Sequence, residues 1–276
     1  MSKADQIFVE MCQDILKNGY SSEGQVVRAK WEDGTPAHTI KKFCVVNRYN
    51  LAKEFPVLTL RPTPIKSAID ELLWIWQKKS NNIKDLNSHI WDAWADENGT
   101  IGKAYGYQLG VKHKYNEGEF DQVDRVLFDL KNNPYSRRIM TNLYNFQDLH
   151  EMALYPCAYS MTFNVSENKL NAILNQRSQD TLVANSWNVV QYSILVMMLA
   201  QVSGLEAGEF VHVIADAHIY DRHIPLVEEL INRPQYPAPK LLINPEIKNF
   251  YDFTVDDFVV ENYQAGPQIK GIPVAV

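Results

Sequence analysis

Apolar residues recur at three- and four-residue intervals at the start of the chain: Ala4, Ile7, Phe8, Met11, Ile15 and Leu16. That spacing predicts an amphipathic helix, and Gly19 stands where it should stop. Ser2 and Asp5 have capping-box spacing, with Asp in place of the commoner Glu. The stretch 19–38 is polar and turn-rich and carries Arg28 among small residues, whereas 39–50 and 55–60 read as strands. Thr63-Pro64 opens a second helix with proline in the first turn. Its buried stripe is Ile65, Ala68, Ile69, Leu72, Leu73, Ile75 and Trp76. At 100° per residue Glu71 falls about 40° outside that stripe, which predicts a half-buried carboxylate. A third helix over 121–131 shows Val123, Val126, Leu127 and Leu130 on one face.

Between these helices lies an irregular aromatic stretch, Ile90-Trp91-Asp92-Ala93-Trp94 to Ala104-Tyr105-Gly106-Tyr107. Loops of this kind either pack onto a core or line a ligand site. From 157 the pattern switches to a period of two. Cys157, Tyr159, Met161, Phe163 and Val165 would share one face, and Leu170, Ala172, Leu174, Gln176 and Ser178 another. Ser166-Glu167-Asn168-Lys169 is a four-residue turn between them. Pairing Val165 with Leu170 and counting back sets Cys157 opposite Ser178, with Arg177 beside the thiol. A guanidinium there favours the thiolate, the nucleophilic form. The plainer role for Cys157 is a buried structural thiol, but the polar run Asn175-Gln176-Arg177-Ser178-Gln179-Asp180 is unlike core.

An apolar helix follows from about Val189 to Gln201 and ends near Gly204, placing Asn188 in its first turn. Asn188 either caps that helix or uses both ends of its amide to read a ring edge. Arg137-Arg138 is either solvated surface or a pair of forks for a phosphate dianion. His212, Asp216, His218 and Tyr220 alternate along an extended segment and would share a face. A hydrogen-bonding row toward a sugar hydroxyl suits them, and a metal site lacks the helix-spaced ligands it would need.

The composition narrows the class. The 276 residues carry a net charge of −6, with 27 basic and 33 acidic side chains. That excludes coating of nucleic acid or anionic membrane by bulk charge. Three cysteines, Cys12, Cys44 and Cys157, make no disulfide framework and no CxxC pair. The N-terminus lacks the apolar core of a signal peptide, and the apolar run 194–200 is too short to span a bilayer. A reducing cytoplasm is the expected compartment. No repeat or linker divides the chain, which reads as one domain of mixed α/β class, with a proline-rich surface crossing at 233–239.

Taken together, Glu71-Leu72-Leu73-Trp74, Ile90-Trp91-Asp92-Ala93-Trp94, Tyr105-Gly106, Ser136-Arg137-Arg138, Pro156-Cys157, Gln176-Arg177-Ser178-Gln179-Asp180, Asn188 and Asp216-Ala217-His218-Ile219-Tyr220 resemble thymidylate synthase along the whole chain. Pro273-Val274-Ala275-Val276 resembles that family's C-terminal lid, here 264–276. The resemblance implies the family's fold, a large mixed β-sheet flanked by helices. It implies reductive methylation of dUMP to dTMP by a methyltransferase, with 5,10-methylenetetrahydrofolate as carbon and hydride donor and no metal. The implied catalytic set is Cys157 (adding to uracil C6), Glu71 (organising water), Tyr105 (assisting C5 proton removal), Arg177, Asp180 and Asn188. The implied dUMP contacts are Arg28, Gln176, Arg177, Ser178, Gln179, Asp180, Asn188, His218 and Tyr220, with Arg137 and Arg138 donated across a homodimer. Ile90, Trp91, Trp94, Asp180, Trp187 and Ala275 would surround the folate.

Four places depart from the family pattern: Leu182 to Trp187, Ala158 after the cysteine, Arg61-Pro62-Thr63-Pro64, and Ala215 before Asp216. They bear on folate affinity, because the nucleophile, the arginines and the asparagine are intact. Rival readings are a pyrimidine hydroxymethylase of the same family, which ends with water instead of hydride, and a non-catalytic nucleotide- or RNA-binding protein on the same scaffold. A cysteine hydrolase lacks a histidine placed beside Cys157 to act as base.

Overall fold

The computed structural model describes residues 2–275. Val276, the last residue of the expected lid, lies outside them. In chain order the helices are α1 (Lys3–Asn18), α2 (Ile65–Trp76), α3 (Gly106–Gly110), α4 (Gln122–Asn132), α5 (Asn185–Val202) and α6 (Ile224–Leu230). The strands are β1 (Tyr20–Ser21), β2 (Thr39–Asn50), β3 (His113–Tyr115), β4 (Gly118–Phe120), β5 (Met140–Asn142), β6 (Ala158–Ser166), β7 (Lys169–Gln176), β8 (Gln179–Asp180), β9 (Glu206–Tyr220), β10 (Lys240–Ile243) and β11 (Phe258–Glu261). A seven-stranded mixed sheet runs β1-β2-β9-β7-β6-β5, with β8 continuing beside β9. The β7–β9 and β8–β9 pairs are parallel and the rest antiparallel.

The predicted helices are present, with local differences that have physical causes. Ser2 caps α1 by accepting from Ala4 N, a contact worth about 1 kcal/mol. No capping box forms, because the buried Asp5 carboxylate instead accepts from the backbone and hydroxyl of Thr59. Pro64 is the N-cap of α2, one position before the predicted first turn. Helix α5 begins at Asn185 rather than Val189, so Asn188 lies inside its first turn. The expected strand at 55–60 is not one. Its apolar side chains are buried, but its backbone joins no ladder and Thr59 is spent on Asp5 and Gly266.

Helix α5 is apolar all round and packs between the sheet and α2, as a helix buried on every side must. Helices α1 and α6 close a second apolar cluster with Ile214, Ala217 and Ile219 of β9. The opposite face of the sheet is uncovered. Met140, Ile173 and Val46 lie there 52%, 39% and 48% exposed, with Met140, Thr162, Ile173 and Val211 on one cross-strand row and Val46 and Val213 on the next. Three irregularities interrupt the sheet, one of them a register shift of the β7–β9 pair between Leu170 and Ala172. The β2–β9 ladder skips Cys44, whose φ is +58°, and Ala215, so one bulge faces another. In the β6–β7 hairpin the register shifts by one between Ala158 and Ser160. Among the described residues no helix is long and apolar enough to cross a membrane.

Candidate active site

The hairpin bulge decides what faces the thiol. Val165 pairs with Leu170 as expected, but beyond the shift Ala158 pairs with Gln176. Cys157 therefore lies opposite Arg177, not Ser178, and Arg177 N donates to the Cys157 carbonyl (2.9 Å). The extra residue also breaks the predicted shared face, since Ser160 and Met161 are both buried while Tyr159 is half-exposed. Arg177 reaches around the cysteine. Its Nε donates to Pro156 O (3.1 Å), and its Nη2 lies 2.7 Å from Tyr155 O and 3.7 Å from Cys157 Sγ. The expected thiolate does not follow. Burial pushes the Cys157 thiol up, and the charges of Arg177 and Arg28 offset this only in part.

Glu71 sits at 6% exposure and is fully buried rather than half-buried. Helix α2 carries it inward against three donors from separate segments: Trp91 Nε1 (2.5 Å), Trp187 Nε1 (2.6 Å) and Gln191 Nε2 (2.7 Å). Burial holds its pKa above the usual carboxylate range despite those three bonds. Tyr105 stands beside it at the head of α3, with its ring edge-on to Trp91 (5.1 Å) and φ at +43°. Its hydroxyl oxygen accepts from Cys157 N (3.2 Å), which leaves its own hydrogen free. Burial raises the phenol well above its ordinary value, so it stays protonated.

Asn188 is oriented by a buried relay. His212 Nε2 lies 2.7 Å from Gln176 Oε1, and Gln176 Nε2 donates to Asn188 Oδ1 (3.2 Å). Burial lowers the His212 pKa to about 3, so its ring is neutral and donates through Nε2. His212 does not share the face of His218 and Tyr220. The bulge at Ala215 shifts the alternation, so that Ile214 before it and Ala217 and Ile219 after it all point into the core. His218 Nδ1 bonds Asp216 (2.8 Å), and Asp216 pairs with Lys41 (2.9 Å). Among the described residues no cluster of three His, Cys, Asp or Glu has metal-binding geometry.

These groups line one cleft of about 350 Å3. It is lined by Cys157, Glu71, Tyr105, Arg28, Gln176, Arg177, Ser178, Gln179, Asp180, Asn188, His218, Tyr220, Trp91, Trp94 and Ala275. Trp187 stands behind the wall and acts on the cleft through Glu71. Ile90 is 38% exposed and does not line it, and Arg137 and Arg138 point to solvent beyond α4. Gln191, Tyr192 and Leu154 also line the cleft and carried no sequence expectation. Gln191 was recoverable, since it follows Asn188 by three positions and Trp187 by four on the same helix face. Two of the departures from the family pattern meet here, because the Arg61 guanidinium donates to Leu182 O.

The sequence matches the thymidylate synthase family model over residues 6–276. It is 47% identical over 274 residues to thymidylate synthase 1 of Bacillus subtilis, covering 98% of each chain. It is 49% identical to the thymidylate synthase of Bacillus licheniformis at the same coverage. The solved structure of thermostable thymidylate synthase A from Bacillus subtilis superposes with a TM-score of 0.95 at 47% identity, over 99% of both chains. By sequence and by fold, the chain belongs to the thymidylate synthase family and is a methyltransferase with thymidylate synthase activity.

Proposed function

We propose that the cleft brings dUMP and 5,10-methylenetetrahydrofolate together and that Cys157 starts the reaction by adding to C6 of the uracil. The addition makes C5 nucleophilic, and C5 forms a bond to the folate methylene carbon. The C5 proton then leaves and the reduced pterin departs as leaving group. Its hydride completes the methyl group as the thiolate is expelled, giving dTMP and dihydrofolate. The observation that carries this reading is the convergence of Cys157, Arg177, Glu71 and Asn188, from distant parts of the chain, on a single cleft.

The surroundings suit each role. Asn188, held by Gln176, faces the cleft with an amide able to donate to and accept from a uracil edge. Arg28, Arg177 and Ser178 suit the phosphate, with Gln179 and Asp180 completing the dUMP contacts, and His218 and Tyr220 suit the ribose. Glu71, whose pKa burial raises, exchanges a proton with cleft water, and the neutral Tyr105 hydroxyl helps at C5. Trp91, Trp94, Asp180 and Ala275 suit the folate, with Trp187 acting from behind them through Glu71.

The same reading takes the chain as one cytoplasmic domain that works as a homodimer, with Arg137 and Arg138 of each subunit completing the other's phosphate site. Their exposure away from their own cleft and the uncovered apolar sheet face support it. Segment 264–276 acts as the lid.

A mixture of enzyme, dUMP and methylenetetrahydrofolate should gain absorbance at about 340 nm as dihydrofolate forms. Hydroxymethyl-dUMP with no gain at that wavelength would mean hydration instead. Cys157→Ser should lose turnover by at least about 10^3-fold while still binding dUMP. Undiminished turnover would refute the nucleophile.

A further inference from the structure

The tail of the chain is tied down in three places. Gly266 N donates to Thr59 O (2.8 Å), Arg233 donates to the Pro267 carbonyl, and His223 Nε2 lies 2.8 Å from the Pro273 carbonyl oxygen. Only the third contact adjoins Val274 and Ala275, which line the cleft. His223 is fully buried, edge-on to Trp31 and Tyr220. Its other nitrogen, Nδ1, has no hydrogen-bond partner and faces Asp180 Oδ2 at 3.6 Å.

These partners decide the protonation of the ring. A peptide carbonyl only accepts, so Nε2 carries a hydrogen. A neutral imidazole would then aim the Nδ1 lone pair at a carboxylate. A second hydrogen turns that repulsion into a charge-assisted attraction and gives the buried nitrogen its partner. Burial opposes the charge, but Asp180, the Pro273 carbonyl and Asp221 outweigh it and raise the imidazolium pKa above the ordinary 6.5. The other ionisable groups nearby do not reverse this. The Tyr220 phenol is itself raised and neutral, and Arg222 turns away to stack on Trp31 (5.0 Å).

We propose that His223 is a positioning residue for the reaction, an imidazolium that ties the C-terminal segment at Pro273 to the Asp180 carboxylate, so that closing the cleft over the folate depends on one buried proton. The proposal rests on the reading that Asp180 and the tail meet the folate. Its sign is fixed by linkage. Of the groups that raise the imidazolium, the Pro273 carbonyl is the one the tail supplies, so docking is tightest while the ring holds both hydrogens and weakens as pH climbs through the raised value.

Carboxypeptidase digestion of the whole enzyme measures this directly, with release at each pH normalised to a free peptide of residues 264–276. Normalised release from the native enzyme should quicken about tenfold between about pH 6 and pH 9, the loss of one charge-assisted contact. His223→Gln keeps a donor for Pro273 but no charge, and should release at the fast rate throughout. In the same variant the KM for folate, and not that for dUMP, should lose its pH dependence. A flat profile in the native enzyme, or a native pH step surviving in His223→Gln, overturns the proposal. Tail release needs no turnover, so an enzyme indifferent to folate would refute the functional reading above while this measurement still stood.

Discussion

Cys157 shows how burial and charge compete at a single sulfur. Arg177 Nη2 at 3.7 Å pulls the thiol toward its anion, yet the enclosing cleft pushes harder the other way. With the folded pKa above the ordinary 9.0, the thiolate fraction in the empty enzyme is small at neutral pH and grows with each unit of alkalinity. The rate of alkylation of Cys157 by iodoacetamide should therefore rise nearly tenfold per pH unit from about pH 7 to pH 9. Arg177→Ala should slow it further at any one pH, because the charge that opposes burial is gone. A rate already maximal at pH 7 would contradict this balance. Glu71 is the complementary case, a carboxylate that three donors stabilise and burial still outweighs.

At the level of elements, the site depends on how tightly α3 is seated. A Cβ added to Gly106 would collide with the Ser80 carbonyl oxygen, backbone that cannot swing aside. Gly106→Ala should cost about 1–3 kcal/mol. By displacing Tyr105 it should also lower kcat more than it raises KM, as thermal melts and steady-state kinetics would show. The seat of α3 was invisible in the sequence because it depends on a contact between remote backbones. Helices α1, α2, α4 and α5 and the β6–β7 hairpin were legible, since each repeats its own period over enough residues. The stretch 55–60 misled because a segment buried on every side is a short apolar run whether or not a ladder forms. The partner of Cys157 was misplaced by one because a bulge at Tyr159 leaves no mark in an alternating pattern. Of the cleft, the motif residues were legible, Gln191 could be reached only from its spacing to Trp187 and Asn188, and the His212 relay was not legible, since its work is to hold another side chain.

For the molecule as a whole, the uncovered sheet face and the outward arginines make one expectation. Ile173→Glu combined with Val46→Glu should yield monomers by sedimentation, and their activity should fall with the assembly. Mixing inactive Cys157→Ser with inactive Arg137→Ala/Arg138→Ala should restore turnover, since a hybrid then holds one complete site. Failure of the mixture to regain activity would argue against shared arginines. The facing bulges at Cys44 and Ala215 carry a last consequence. They set the side of the strand on which His218 and Tyr220 emerge, so drawing both bulges out into regular pairs, with no residue removed, would leave a ladder in good order with those two side chains turned inward. A protein engineer who straightened this sheet for neatness would keep the architecture and lose its grip on the sugar.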